Sequence, residues 1–205
     1  MSHKQIINLF KDESNNSPLK KNEVKNACLY NEFIWVNPRD IVYSNRKPEQ
    51  EINRCMILSD DNFPKSYQRF DENPTYHYVI DRMKTGNWCV AKKDKLLEFK
   101  KKSKSLFKTW LHHYFLILRY KELDQLIDNI MKTKTLKTNF ELNRTRTKFE
   151  KWLGLNNDEM FVDIGKNGEI FFAKNGTHRL ALAKYLKIKK IQVKICRIHS
   201  NFIDN

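Results

Sequence analysis

Residues 160–196 read MFVDIGKNGEIFFAKNGTHRLALAKYLKIKKIQVKIC, and the succession of textures in that stretch decides the fold. Phe161 to Ile164 alternate as a strand. Lys166-Asn167-Gly168-Glu169 reads as a turn with glycine where positive φ is needed, and Ile170 to Lys174 form a second strand. Asn175-Gly176-Thr177-His178-Arg179 follows as a short loop. Arg179 to Lys187 is a helical run, and Ile191 to Cys196 is a strand. Its apolar Ile191, Val193 and Ile195 share one face, and Gln192 and Lys194 share the other. The unit is strand, hairpin, strand, loop, helix, strand. That order predicts an α+β fold with a small mixed sheet and packed helices.

The loop combines residues that suit an anion. A helix N-terminus presents amide N–H groups and the positive end of the macrodipole. Gly176 lets the backbone come close to a ligand, and the Thr177 hydroxyl can cap the helix or donate to an oxygen. His178 and Arg179 are expected to add positive charge, with the guanidinium fork matching phosphate oxygens. A negatively charged ligand is therefore expected at this helix start.

Upstream, Leu123, Leu126, Ile127 and Ile130 fall at i, i+3, i+4 and i+7, so residues 121–132 form an amphipathic helix. Residues 92–120 also carry helical periodicity, with Leu96, Leu97, Phe99, Leu106, Phe107 and Trp110 among lysines. The paired His112 and His113 sit in an apolar helical run and read as structural. Residues 133–159 read as a polar basic linker. The stretch EFIWVNPRDIVY, residues 32–43, favours a strand that Asn37-Pro38 breaks. Residues 46–90 are irregular and aromatic, with prolines at 48, 64 and 74; Asp81, Arg82 and Trp88 are candidates to line a face there. Residues 1–30 read as a polar arm.

The chain has 205 residues, 40% hydrophobic and 31% charged, enough for one sizeable domain without disulfides. No apolar run approaches a bilayer span, so no membrane partner is expected. The N-terminus shows no secretory signal pattern. Cys28, Cys55, Cys89 and Cys196 have no metal-ligand spacing, so no metal site is expected, and they read as free thiols in a reducing, cytoplasmic compartment. The net charge of +15, from 39 Lys+Arg against 24 Asp+Glu, attracts nucleic acid, anionic lipid or phosphorylated ligands.

The order of hairpin, Gly-x-His-Arg, alanine-rich helix and Ile-x-Val strand resembles the ParB/sulfiredoxin superfamily. IWVNPRDIV resembles that fold's first strand, YKELDQLIDNIMK its helix before the hairpin, and FVDIGKNGEIFFA the hairpin itself. On this resemblance residues 1–30 are an arm and 31–45 the first-strand region. Residues 46–118 are a mostly helical basic insertion, and 119–205 the core with its GTHR loop. The resemblance implies ATP or CTP as ligand, with Mg²⁺. It implies contacts to the nucleotide from Asn175, Gly176, Thr177, His178 and Arg179. Arg197 and His199, at the end of the last strand, are expected to border the same crevice.

Asp40, His178 and Arg179 are the catalytic candidates for phosphoryl transfer or nucleotide hydrolysis. Asp163 and Glu169 flank the hairpin turn as surface carboxylates. Sulfiredoxins carry a cysteine where this chain has Thr177, and a hydroxyl does not replace a low-pKa thiolate, so sulfinate reduction is not expected. Two other expectations stand beside the enzyme. One is a DNA-binding or nuclease module that uses the basic helices at 92–110. The other is a nucleotide sensor without turnover, which Asn175 and Thr177 favour.

Overall fold

The computed structural model describes residues 19–45, 55–102, 105–133, 135–137 and 159–204. The first 18 residues of the expected arm and positions 138–158 of the expected basic linker lie outside them. The described chain is α+β, with one seven-stranded mixed sheet and six helices.

The first helix, α1 (Lys21–Tyr30), buries Val24, Ala27 and Cys28 at helical spacing, and Asn31 ends it at φ +55°. So residues 21–30 of the expected polar arm are a core element. The chain then enters β1 (Phe33–Val36). Asn37 accepts the Arg39 amide at 3.0 Å, and Pro38–Asp40 turn as a 3₁₀ helix into β2 (Ile41–Asn45). The Asn-Pro break expected from sequence thus sends two strands to different places. β1 joins β7 (Ile191–His199), and β2 joins β6 (Ile170–Lys174).

Residues 46–118 are not simply a helical insertion. β3 (Met56–Leu58) pairs in parallel with the end of β7, and β4 (Tyr67–Arg69) pairs antiparallel with β2. A second 3₁₀ turn, Phe70–Glu72, leads to α2 (Pro74–Thr85), which is capped by Asn73 and stopped by Gly86 at φ +80°. α3 (Cys89–Lys102) and α4 (Leu106–Thr133) follow. α4 runs unbroken through the expected domain boundary at 118. It buries Leu116, Tyr120, Ile127 and Ile130 along one stripe. Among the described residues no helix is long and apolar enough to cross a membrane.

The C-terminal unit follows the order read from sequence. β5 (Phe161–Ile164) and β6 form the hairpin, α5 (Thr177–Tyr185) follows the loop, β7 returns, and α6 (Ser200–Asp204) ends the described chain. Across the sheet the order is β1-β7-β5-β6-β2-β4, with β3 sharing the outer edge of β7 with β1. Register places Ile34, Val36, Ile41, Val162, Ile164, Phe172, Ile191, Val193 and Ile195 on one face, and all are buried. The buried Leu180, Leu182 and Leu186 of α5 belong to the same core, and α2 packs against α5.

The cysteines depart from expectation. Cys28 and Cys55 form a disulfide that ties α1 to the residue preceding β3, with Cα atoms 5.2 Å apart. Their separation of 27 residues carries no sequence motif, and only the tertiary return of the chain brings them together. Cys89 is free and exposed, and Cys196 is free and buried.

Candidate functional site

The loop is built at the end of β6. Asn175 and Gly176 both take left-handed backbone conformations, at φ +59° and +69°. Gly176 has a second constraint, since a Cβ there would meet the Met160 side chain at 3.3 Å. The first helical bond of α5 runs from Leu180 N–H to the Gly176 carbonyl at 2.9 Å. The amides of Thr177, His178 and Arg179 therefore precede the helical ladder, and no side chain from the cap residue covers them.

The two cations expected in the first turn behave differently from expectation. Arg179 is buried at 9% exposure. Its Nη1 donates to Glu159 Oε2 at 3.4 Å and its Nη2 to the Lys137 carbonyl. Its charge is thus matched by a carboxylate, and its fork ties α5 to the chain on either side of 138–158. That is a structural strut, not a phosphate clamp. His178 is also not a cation. Burial, together with the positive charges of Arg119 and Lys95, holds its imidazole down to about 3. It is a neutral ring that can offer one N–H and one lone pair.

The positive charges that act on His178 are those of Arg119 on α4 and Lys95 on α3, and Lys95 also pairs with Glu98 at 3.2 Å. The same helices wall the imidazole. Trp88 meets the His178 ring edge-on at 6.3 Å and stacks on Tyr120 at 4.8 Å. Trp88 Nε1 and Arg82 Nε both donate to Asp124 Oδ1 at 2.8 Å, which pins the α2–α3 corner to α4. The sequence marked Arg82 and Trp88 only as possible lining. Lys95, Arg119, Tyr120 and Asp124 carried no signal, because each belongs to an ordinary helical pattern.

The remaining candidates lie elsewhere. Burial raises the Asp40 carboxyl above its ordinary value, against the downward pull of Lys184 and Arg39. Lys184 lies seven residues past Thr177, about 10 Å along the helix, so the partner of Asp40 on α5 belongs to the end away from the loop. Arg197 is fully buried and holds Asp163 through two bonds of 3.0 Å. His199 places Nε2 2.7 Å from Asp60 Oδ1 and accepts the Asn201 amide at Nδ1, 3.2 Å away. That amide fixes the tautomer with the proton on Nε2, donated to Asp60. Register sets Arg197 beside Asp163, toward the hairpin turn, and Lys174 beside Phe161, at the loop. Arg197 and His199 therefore belong to the sheet end opposite the loop, because β6 runs antiparallel to β5 and β5 parallel to β7. Asp163 is a buried partner of Arg197, not a surface carboxylate. Glu169 closes the hairpin turn by accepting the Asn167 amide at 3.0 Å. His112 stacks on Phe99 at 4.1 Å.

Among the described residues no group of three or more His, Cys, Asp or Glu could hold a metal. Comparison with protein-family models finds no match, and comparisons with curated proteins and solved structures find none.

Proposed function

We propose that the chain binds the phosphate of a nucleotide, ATP or CTP, at the start of α5 and does so without turnover. The observation that carries the reading is the left-handed Asn175–Gly176 pair. It opens a helix whose first amides have no side-chain cap, beside the charges of Arg119 and Lys95. Helix amides with neighbouring cations are a general anion receptor. The order of strand, helix, hairpin, loop, helix and strand supports a ParB/sulfiredoxin-like core. The helices at 74–133 then act as an elaboration that supplies the cations.

The sensor reading is preferred to phosphoryl transfer for a chemical reason. Transfer needs a base or a water-positioning group and a metal held near the phosphates. His178 with its pKa near 3 is a poor proton acceptor at neutral pH. Asp40 interacts with Arg39 and with Lys184, which lies toward the far end of α5. Magnesium enters this proposal only as the nucleotide's own counter-ion, since the residues described around the loop provide no carboxylate set for it.

The test is a thermal-shift and calorimetric titration with ATP, CTP and inorganic phosphate, each with and without magnesium. A ligand that binds the native state raises Tm by mass action. Saturable binding is expected, weakened about tenfold or more in Arg119→Ala, the effect of ~1.4 kcal/mol. No nucleotide release of phosphate is expected. A flat response to the whole panel removes the proposal, and multiple turnovers replace the sensor with an enzyme.

A further inference from the structure

The sheet has a second face, and among the described residues half of it is roofed. The connection at 59–66 crosses it, with Phe63 against His199 at 5.2 Å and Phe171 at 6.5 Å, and Tyr67 at the start of β4 stacks on Phe171 at 4.2 Å. The other half carries a different pattern. Phe33 on β1 pairs with Lys194 on β7, Lys194 with Phe161 on β5, and Phe161 with Lys174 on β6. Ring, ammonium, ring and ammonium therefore follow one another across four adjacent strands. The side chains confirm the shared face. Lys194 Nζ lies 5.1 Å from the Phe33 ring centre, and Lys174 Nζ lies 4.9 Å from that of Phe161. Trp35, two residues along β1 from Phe33 and so on the same face, is 57% exposed beside Gln192.

We propose that this row binds single-stranded nucleic acid. Every base has a face that stacks on an aromatic ring, and lysines between the rings suit the phosphates that link the bases. The rings of Phe33 and Phe161 stand two strands apart, about 10 Å. Trp35 adds a third ring and is the most exposed of the three. The net charge of +15 supplies the long-range attraction that a polyanion needs. An apolar protein partner would not call for alternating ammonium groups, and a duplex keeps its base faces inside the stack. The row is separate from the loop at α5, so the two sites can be tested apart.

The experiment titrates the full chain with oligothymidine, oligouridine and the corresponding duplexes. It follows labelled-strand anisotropy and tryptophan emission. Single strands should bind and quench emission. Trp35→Phe should abolish most of the quenching and keep the binding, because the ring remains. Trp35→Ala, at an exposed position with little effect on folding, should weaken binding by about fivefold or more, as loss of one stacked base does. Lys194→Gln should reduce the salt slope by about 0.7. Arg119→Ala should leave the oligonucleotide affinity unchanged. The DNA and RNA arms decide which sugar is preferred. The proposal is overturned if single strands do not bind, or if duplexes bind as tightly. Indifference of binding to Trp35→Ala overturns it too, as does a finding that this face is buried in a concentration-dependent dimer that Trp35→Ala dissociates.

Discussion

Arg197 lies in register with Asp163 on the neighbouring strand and meets it through two bonds, Nε to Oδ1 and Nη2 to Oδ2, each 3.0 Å. Both side chains are almost wholly withdrawn from water, at 2% and 0% exposure. A buried pair is weak evidence of net stabilisation, but breaking it leaves one charge without its partner. Arg197→Met alone is expected to cost about 3–5 kcal/mol, read from urea denaturation. Asp163→Leu combined with Arg197→Met is expected to recover most of that loss. Equal destabilisation by the single and double variants would contradict this account.

His178 gives a pH signature. Its pKa falls from 6.5 in the unfolded chain to about 3 in the fold. Between these values the unfolded chain takes up a proton that the folded chain refuses. Stability from this group is therefore full above about 6.5 and declines as pH drops toward 3. The imidazole resonance should stay fixed through neutral and mildly acid pH. Arg119→Ala should move its titration upward, because one repelling charge is gone. A midpoint near the ordinary histidine value would disprove the assignment.

Lys184 makes the opposite end of α5 chemically unusual. Burial brings its ammonium down to about 8, against the upward pull of Asp71 and Asp40. The group also lies over the Phe70 ring at 5.8 Å. Asp40→Asn should lower the midpoint further, since an attractive charge is removed. On this account stability rises between about 8 and 10.5, where the folded chain has released a proton that the unfolded chain keeps. NMR of methylated lysines reads the midpoint directly, and a downfield-to-upfield transition near 10.5 would refute the prediction.

The Cys28–Cys55 bridge predicts two titratable thiols in the unfolded, unreduced chain and four after reduction. Cys28→Ser is expected to lower stability by about 2–4 kcal/mol, the range for closing a loop of this kind. Four reactive thiols without reductant would show that the pair is not bonded.

The C-terminal third was legible because its signals are local. Gly168 in the hairpin turn and the alternation of Ile191, Val193 and Ile195 each act within a few residues, as does Asn37-Pro38 near the other end of the chain. What was missed depends on chain return. β3 and β4 have three residues each, too short for a period to register, and they draw strength only from pairing with β7 and β2. Arg197 and His199 read as residues bordering the loop's crevice because nothing near them in sequence shows Asp163 or Asp60. At the loop, composition marked the place and misjudged the charges. His178 and Arg179 are cations in a list of residues. In the fold one is neutral beside Arg119, and the other is neutralised by Glu159.

The sheet's margins carry one more consequence. β1 has four residues, while β3 and β4 have three each, and β1 and β3 divide the flank of β7 between them. Short margins give an incoming chain few backbone groups to pair with. Strand addition from another molecule would find at most a few consecutive sites, so the architecture resists the edge-to-edge association that leads to fibrils.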